Sequence, residues 1–540
     1  MSLVATGRYP VAWRYRIRAM HTQLINSLLN PECYPHPVES VELVETHISW
    51  LLLAGDRVYK LKKPLDLGFL DFSTLAKRRF FCEEEMRLNQ RTAPDLYLDV
   101  ISITGTPEQP ALNGTGDILE YAVRMRRFDA EAGFDRLLTR HQLKRQHIAG
   151  LGQALAELHR LAEVAAPDSD YGTVSATAAP IQDNFTDLAT TLKNQAIAAG
   201  LGALQDWTEA ELSNLEPCLE ERLRRGYIRE CHGDAHLGNV ALIDGRATLF
   251  DCVEFSKELR WIDVMSDVAF AVMDLHSRGA SGFAWLLLDQ YLAATGDYAG
   301  LRLLPLYLVH RALVRAKVTA LRLDDPDVDT AALLRRAADY LALARSMSAA
   351  RRPAIVLTVG VSGSGKSWLA QQLVEMACLV RLRSDVERKR LYRYKPGDNR
   401  DSGIDRDLYS EEASARTYHY LAAMARCVVE AGMPALIDAA ALKHWQRSLF
   451  GQLAAECGVP FGILYCNADD ATLRRRIVAR ELAGNDPSDA GLSVLEHQQR
   501  TLEPLDAQEE ARALLVDSVA QAADWVEQLT LYRVGHVATT

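Results

Sequence analysis

The rhythm of hydrophobic and polar positions takes three forms along the chain. Between residues 40 and 63, short apolar runs alternate with polar residues, as in VELVETHIS and WLLLAGDRVYKLKK, and Gly55-Asp56 interrupts the second. Period-two alternation around a Gly-Asp dipeptide predicts a β-hairpin. The charged amphipathic stretch LAKRRFFCEEEMRLNQRTAP predicts one long helix ending at Pro94. Strand-like runs return at LYLDVISI and ILEYAVRMRRF, so residues 40–128 predict a small α+β lobe. After Phe128 the spacing becomes helical, in HQLKRQHIAGLGQALAELHRLAEV and again over 184–226. One interruption, NVALIDGRATLFD, predicts a hairpin around Asp244-Gly245, and helical text then continues to 345.

The short polar stretch 346–353 predicts a linker. Beyond it the pattern is strand, loop and helix repeated: AIVLTVG, LVRLRSD, PALIDAA and FGILYCNA are apolar runs separated by helices such as 411–431. That alternation predicts a parallel sheet covered on both faces. The expected order is an N-terminal extension and first helix (1–39), a small lobe (40–128), a helical large lobe (129–345), the linker (346–353) and an α/β domain (354–540). Residues 1–19 carry four arginines and no apolar core, so they predict an extension, or a start at Met20, rather than a secretory signal.

Composition narrows the class. A chain of 540 residues exceeds one ordinary hydrophobic core, and 48% hydrophobic with 24% charged residues is a globular composition. A net charge of −10 disfavours general adhesion to nucleic acid or anionic membrane. Nine dispersed cysteines without a C-x-x-C pair predict reduced thiols and a cytoplasmic location. No run approaches a membrane span.

Two motifs carry chemistry. The first is Cys231-His232-Gly233-Asp234-Ala235-His236-Leu237-Gly238-Asn239, with Asp251 at the end of the next apolar run. Transfer of a γ-phosphate to a hydroxyl needs a carboxylate beside the attacking oxygen and ligands for the metal on the phosphates. Asp234 and Asn239 reproduce the D-x-x-x-x-N spacing of a kinase catalytic loop, and the predicted hairpin brings Asn239 and Asp251 together. The second motif is Gly360-Val361-Ser362-Gly363-Ser364-Gly365-Lys366-Ser367, between an apolar strand and a helix. In that context backbone N–H groups wrap phosphates, Lys366 reaches the β and γ oxygens, and Ser367 holds magnesium.

The first motif, with LFDCVEF after it and LGQALAELH at 151–159, resembles the aminoglycoside phosphotransferase and choline kinase family over roughly residues 40–345. The resemblance implies a bilobal protein-kinase-like fold using ATP and Mg2+. Asp234 would be the catalytic base, Asn239 and Asp251 magnesium ligands, and Asp267 in WIDVMSDVAF a structural residue. Such a fold needs a strand lysine on the phosphates and a helix carboxylate to orient it. Lys60 is the expected lysine, with Lys62 on the same strand face. Glu84 is the expected partner, with Glu85 adjacent. LEYAVRMRRF would join the lobes where adenine meets backbone. One departure is the turn between the first strands, ETHIS, which has no glycine to grip phosphate.

In the second half, Asp385 and Arg388 follow the second strand, where an acceptor base and an anion-holding arginine would stand. Asp438 ends PALID as a Walker-B-like metal carboxylate, and Arg476 and Arg480 are spaced as in a lid over ATP. With S-D-x-x-R and D-A, residues 354–520 resemble P-loop kinases of the zeta-toxin, gluconate-kinase and polynucleotide-kinase type. No arginine-finger and sensor arrangement of a ring-shaped motor is evident. Residues 381–395 hold seven Lys/Arg against Asp385 and Glu387, a net +5, which suits an anionic acceptor, including a nucleic-acid end. The fold class expected is therefore an α+β protein-kinase-like bilobal domain followed by an α/β P-loop domain with a parallel sheet. The function expected is a bifunctional phosphotransferase acting on hydroxyl-bearing small molecules or a 5′-hydroxyl end. The alternative is a P-loop kinase or ATPase regulated by a catalytically weak, nucleotide-sensing first half.

Overall fold

The computed structural model describes residues 21–68, 70–192, 195–324, 328–349, 353–392, 410–483 and 491–530. By contact these form two compact units, one within 1–177 and 219–267, the other within 178–218 and 268–540. The linker expected at 346–353 thus lies inside the second unit. Helices of the expected large lobe pack there with the P-loop region, for a reason visible in one of them. The Ser281–Thr295 helix is buried on all sides, from Ala284 through Leu288 to Leu292. A helix apolar all round must be covered all round. It packs on the Lys366–Ala377 helix and on the strand Val380–Arg383.

In the first unit, β1 (Val41–Glu45), β2 (Ser49–Ala54), β3 (Arg57–Lys62), β4 (Tyr97–Thr106), β5 (Gln109–Leu112) and β6 (Ile118–Arg126) form one sheet in the order β1-β2-β3-β6-β4-β5. The Gly55-Asp56 turn joins β2 to β3 as expected, with Leu51 paired to Lys60 and Ser49 to Lys62. Period two then sends both lysine side chains to one face. The expected long helix runs Leu75–Asn89 and stops before Pro94, with Thr74 capping its start. Two further pairs follow: β7 (Ile228–Glu230) with β10 (Trp261–Asp263), and β8 (Val240–Ile243) with β9 (Arg246–Leu249). In the β8–β9 turn, Asp244 and Gly245 both take positive φ (50° and 78°), the geometry that a two-residue hairpin needs.

In the second unit, β11 (Ile355–Val359), β12 (Val380–Arg383), β13 (Ala435–Asp438), β14 (Phe461–Tyr465) and β15 (Ala513–Leu515) form a five-stranded sheet in the order β12-β13-β11-β14-β15. Every pairing is parallel, and β11 and β13 are buried throughout. The sequence signals β11 to β14 as continuous apolar runs, while three-residue β15 was not anticipated. The two expected folds are both present, each in chain order.

Candidate functional sites

The first site is assembled from β3, the Leu75–Asn89 helix and the two ends of the β8–β9 hairpin. Lys60 donates to Glu85 Oε1 at 2.8 Å and is also bonded to Asp251 Oδ1. Lys62, two residues on, donates to the other Glu85 oxygen at 2.7 Å and is bonded to Glu254. Lys60 is therefore the lysine that reaches the predicted metal carboxylate. The helix carboxylate is Glu85, a correction to the expected Glu84. Glu84 points to a different cluster, accepting from Arg87 at 2.7 Å and from Arg260 at 2.6 Å. The reason is helical geometry: Arg78, Cys82, Glu85 and Asn89 make the buried stripe, and Glu84 is off it.

Charge balance favours the ionised forms of Lys60 and Glu85. Burial alone would depress the Lys60 ammonium, but Asp251 and Glu85 outweigh it and hold its pKa well above the usual value. Burial would raise Glu85, but Lys60 and Lys62 hold it below the usual carboxylate range. Glu254 is pushed up, by burial first, against the pull of Lys62.

The catalytic-loop motif is fixed by groups around it. Asp267 accepts the backbone N–H of His232 and of Gly233, each at 2.9 Å, and pairs with His159 at 3.1 Å. It is a loop anchor, as expected. Burial would raise Asp267, yet these hydrogen bonds bring it down to about 2. Gly233 has φ +85°, and a Cβ there would meet the Leu259 carbonyl at 2.8 Å, so only glycine fits. His232 accepts from the Asp234 N–H at Nδ1 (3.3 Å), so its Nε2–H donates to the Phe250 carbonyl (3.0 Å). Burial keeps that imidazole neutral.

Asn239 donates through Nδ2 to the Asp234 Oδ2 carboxylate oxygen and to its carbonyl, both at 3.0 Å. The Phe250 N–H donates to the Asn239 carbonyl at 3.0 Å, which sets Asp251 beside Asn239. Asp251 takes φ +62°, a left-handed conformation that a non-glycine residue adopts only where its surroundings impose it. Tyr97 and Asn89 impose it: Tyr97 Oη accepts the Asp251 N–H at 3.1 Å and Asn89 Oδ1 accepts the Cys252 N–H at 2.9 Å. Neither residue was anticipated. The set of Asn239 amide oxygen and half-exposed Asp251 carboxylate fits a hard cation, which takes oxygen ligands.

The glycine-free turn is closed on itself. Thr46 Oγ1 accepts the Ser49 N–H at 2.9 Å, the Thr46 N–H donates to the Ser49 carbonyl at 2.9 Å, and the Lys63 N–H donates to the Ile48 carbonyl at 2.8 Å. Two amides that a phosphate grip would use are spent inside the turn.

The second site stands at the carboxyl edge of the parallel sheet, where crevices form beside a reversal of strand order. Gly360 follows β11 with φ +151°, and a Cβ would meet the Cys466 carbonyl at 2.3 Å. Lys366 and Ser367 open the helix beyond the loop. Lys366 Nζ donates to the Val361 carbonyl at 2.8 Å, so it lies back across the loop. Ser367 Oγ donates to Asp438 Oδ1 at 3.0 Å, joining the two expected metal ligands. Thr358 Oγ1 ties β11 to β13 beside them, donating to the Ala439 carbonyl at 2.8 Å. Asp438 Oδ2 is buried without a hydrogen-bond partner. Arg381 and Arg383 approach it only to 3.9 Å, and a buried carboxylate oxygen without a hydrogen bond, next to a serine hydroxyl, fits a magnesium ion.

Asp385 opens the Ser384–Leu391 helix just past β12, whose Arg383 is paired with Asp438. Burial raises the Asp385 pKa, Arg388 opposes this and the Asp438 charge adds to it. Arg476 reaches the P-loop, donating to the Gly363 carbonyl at 3.1 Å. The Arg480 side chain lies outside the described residues. Gln498 was not anticipated: its Oε1 accepts the Ser362 N–H at 2.7 Å. Among the described residues, two arginines of the expected basic stretch are hydrogen-bonded to carboxylates. Arg381 is buried against Asp289, Arg390 is bonded to Glu387, and Arg393 and Lys395 lie outside the described residues.

Comparison with known proteins agrees with both halves. Residues 106–304 match the family model described as the phosphotransferase enzyme family, and residues 355–505 match the model described as an AAA domain. Uncharacterized proteins of Mycobacterium tuberculosis and Mycobacterium bovis are 28% identical over 457 residues, covering 84% of this chain and 90% of theirs. An alignment of that length runs through both halves. Among solved structures, a choline/ethanolamine kinase family protein from Mesorhizobium loti is similar over 61% of this chain and 94% of its own, at 14% identity and a TM-score of 0.39. A Mycobacterium tuberculosis APS kinase is similar over 34% of this chain and 99% of its own, at 21% identity and a TM-score of 0.25. With a phosphotransferase-family domain in its first half and a P-loop kinase domain in its second, the chain is a phosphotransferase built from two kinase-type domains.

Proposed function

We propose that the protein is a bifunctional ATP-dependent phosphotransferase, with one ATP and magnesium site in each half and hydroxyl groups as acceptors. The observation that carries this reading is that each half gathers a lysine, aspartates and a further side-chain oxygen at one place, a set suited to phosphate, a proton and a hard cation. Magnesium, when bound, would be held by Asn239 and Asp251 at the first site and by Ser367 and Asp438 at the second, and would supply positive charge against the charge that develops in phosphate transfer.

At the first site Lys60, oriented by Glu85, holds phosphate oxygens, while Asn239 and Asp251 face the cation. Asp234, kept in position by the Asn239 amide, accepts the proton of the attacking hydroxyl. The neutral His232 and anionic Asp267 fix the loop and take no part in the transfer. At the second site the Gly360–Ser367 loop and Lys366 hold the phosphates, with Arg476 closing on them and Arg480 a further lid arginine. Ser367 and Asp438 face the cation. Asp385 accepts the hydroxyl proton, and Arg388 beside it favours an acceptor that carries an anionic group. Small anionic alcohols and a nucleic-acid 5′-hydroxyl end both satisfy that chemistry.

The self-closed turn at Thr46–Ser49 favours a second reading, in which the first half binds ATP weakly and regulates a P-loop kinase or ATPase. A screen of metabolites and oligonucleotides with labelled ATP, on the wild type, Asp234→Asn and Lys366→Ala, separates the two. Bifunctionality predicts acceptors lost with Asp234→Asn and different acceptors lost with Lys366→Ala. If every acceptor depends on Lys366 and none on Asp234, the regulatory reading replaces it.

A further inference from the structure

A buried ion pair links the helix Ser281–Thr295 to the second site. Arg381, on β12, donates to Asp289 in fork geometry, Nε to Oδ1 at 3.1 Å and Nη2 to Oδ2 at 2.7 Å. Both side chains are almost wholly buried, at 3% and 2% exposure. The third nitrogen, Nη1, stands 3.9 Å from Asp438 Oδ2, an oxygen that has no hydrogen-bond partner; Arg383 Nε, partly exposed, stands at the same distance and, among the described residues, has no carboxylate like Asp289 to hold it in fork geometry. That distance is too long for a hydrogen bond and short enough for strong attraction. Asp289 therefore holds a guanidinium just short of the carboxylate that faces the metal. The same region anchors the helix that bears Asp385. Tyr298 Oη donates to Glu387 Oε1 at 3.1 Å, and Arg390 is bonded to both Glu387 and the Ala293 carbonyl.

We propose that Asp289 is a positioning residue for the P-loop site, restraining Arg381 so that Asp438 stays available to the metal. Residues 281–302, which belong to the first kinase-type half by sequence order, thereby set the chemistry of the second. A bidentate pair fixes both the place and the plane of a guanidinium, which a lone contact would not. Without Asp289, a buried arginine must find another anion, and Asp438 Oδ2 is the adjacent one. The pair Arg381–Asp438 would then compete with metal binding. This inference rests on reading Ser367 and Asp438 as the metal site.

The test uses the full-length chain with Asp251→Asn in every arm, which weakens metal binding at the first site. Mn2+ is titrated in the presence of ADP and followed by electron paramagnetic resonance, and the binding lost on adding Ser367→Ala defines the P-loop metal. Asp289→Asn should weaken that binding on the order of tenfold, from an ion pair closing at about 4 Å. Adding Arg381→Met to Asp289→Asn should restore it to within about threefold of the parent, since the released charge is gone and Arg383 is the same in every arm. A residue that merely supports the fold predicts the opposite order, with the double variant worse than the single. An unchanged affinity in Asp289→Asn, or no recovery in the double variant, overturns the proposal. Should Asp289→Asn fail to fold, Arg381→Lys and Arg381→Met decide it: the released lysine should weaken Mn2+ binding and the methionine should not, and the reverse order refutes it. If the parent shows no Ser367-dependent Mn2+ binding at all, the metal-site reading fails first and this inference with it.

Discussion

The chain has two places where a phosphate tail is expected, and they are built on opposite principles. Between β1 and β2, the turn Thr46–Ser49 bonds two of its own amides internally, and the charge proposed for a phosphate is that of Lys60, braced by Glu85 and Asp251. After β11, Gly360, Gly363 and Gly365 take positive φ and the loop itself presents backbone around Lys366. One site thus relies on a rigid, buried network of side chains, the other on backbone shape. A network of paired charges keeps its geometry without a ligand but is unforgiving of a single deletion, because the partner left behind is buried and unpaired. A backbone loop tolerates side-chain change except where a Cβ would collide.

That contrast sets the predictions. The largest effect is expected at the second site: Lys366→Ala should lower its phosphate transfer by about 10²–10³, the usual loss when one charge-stabilising group is removed. Steady-state rates on a Lys366-dependent acceptor check this. Next, at the first site, Glu85→Gln should destabilise the fold by about 3 kcal/mol by leaving two buried lysines short of an anion, and should depress first-site transfer. Glu84→Gln, on the other cluster, should leave the first-site rate constant within about threefold. Urea melts and rates on an Asp234-dependent acceptor compare the pair, and equal losses in rate would erase the distinction drawn between these neighbours.

A third prediction concerns acid. Asp267 has its folded pKa lowered to about 2 from 3.8. A lowered folded pKa contributes stability that is present above the unfolded value and lost as pH falls through the folded one. The first unit should therefore lose about 2 kcal/mol between roughly pH 4 and pH 2 through this one group, and Asp267→Asn should flatten that part of the stability curve. A fourth separates the sites by pH. The raised Asp385 predicts that second-site transfer begins to fail at higher pH than an ordinary aspartate would allow, and Asp438→Asn should shift the surviving acid limb downward by removing a neighbouring negative charge. The smallest effect is expected at Thr46. Removing its hydroxyl by Thr46→Ala should cost about 1 kcal/mol and change the ATP KM of the first site by less than about threefold, because the turn does not grip phosphate.

Much of this was legible in the sequence, and the exceptions have physical causes. Apolar runs gave β11 to β14, and Asp244-Gly245 gave the hairpin that joins Asn239 to Asp251. Motif spacing brought Asp234 to Asn239 and Ser367 to Asp438. Glu85 was not separable from Glu84 because neighbours on a helix differ only in face, and Phe80 and Phe81 blur which face is buried; Phe80 is in fact exposed. Tyr97, Asn89 and Gln498 act through contacts remote in sequence, which no local pattern encodes. Two signals were present but unread. A single aspartate in the apolar LLLDQYL of the Ser281–Thr295 helix and an arginine inside the strand Val380–Arg383 each demand a buried partner. They are partners to each other, and together they explain why the second unit includes helices that chain order assigns to the first half.

Whether both sites work is decided by ATP turnover in three full-length variants measured side by side: Asp234→Asn, Lys366→Ala and the two combined. Two working sites predict that each single variant keeps a magnesium-dependent activity and that the combined variant has none. An Asp234→Asn protein indistinguishable from wild type, with Lys366→Ala as inactive as the combination, would contradict the claim and leave a single enzyme in the second half.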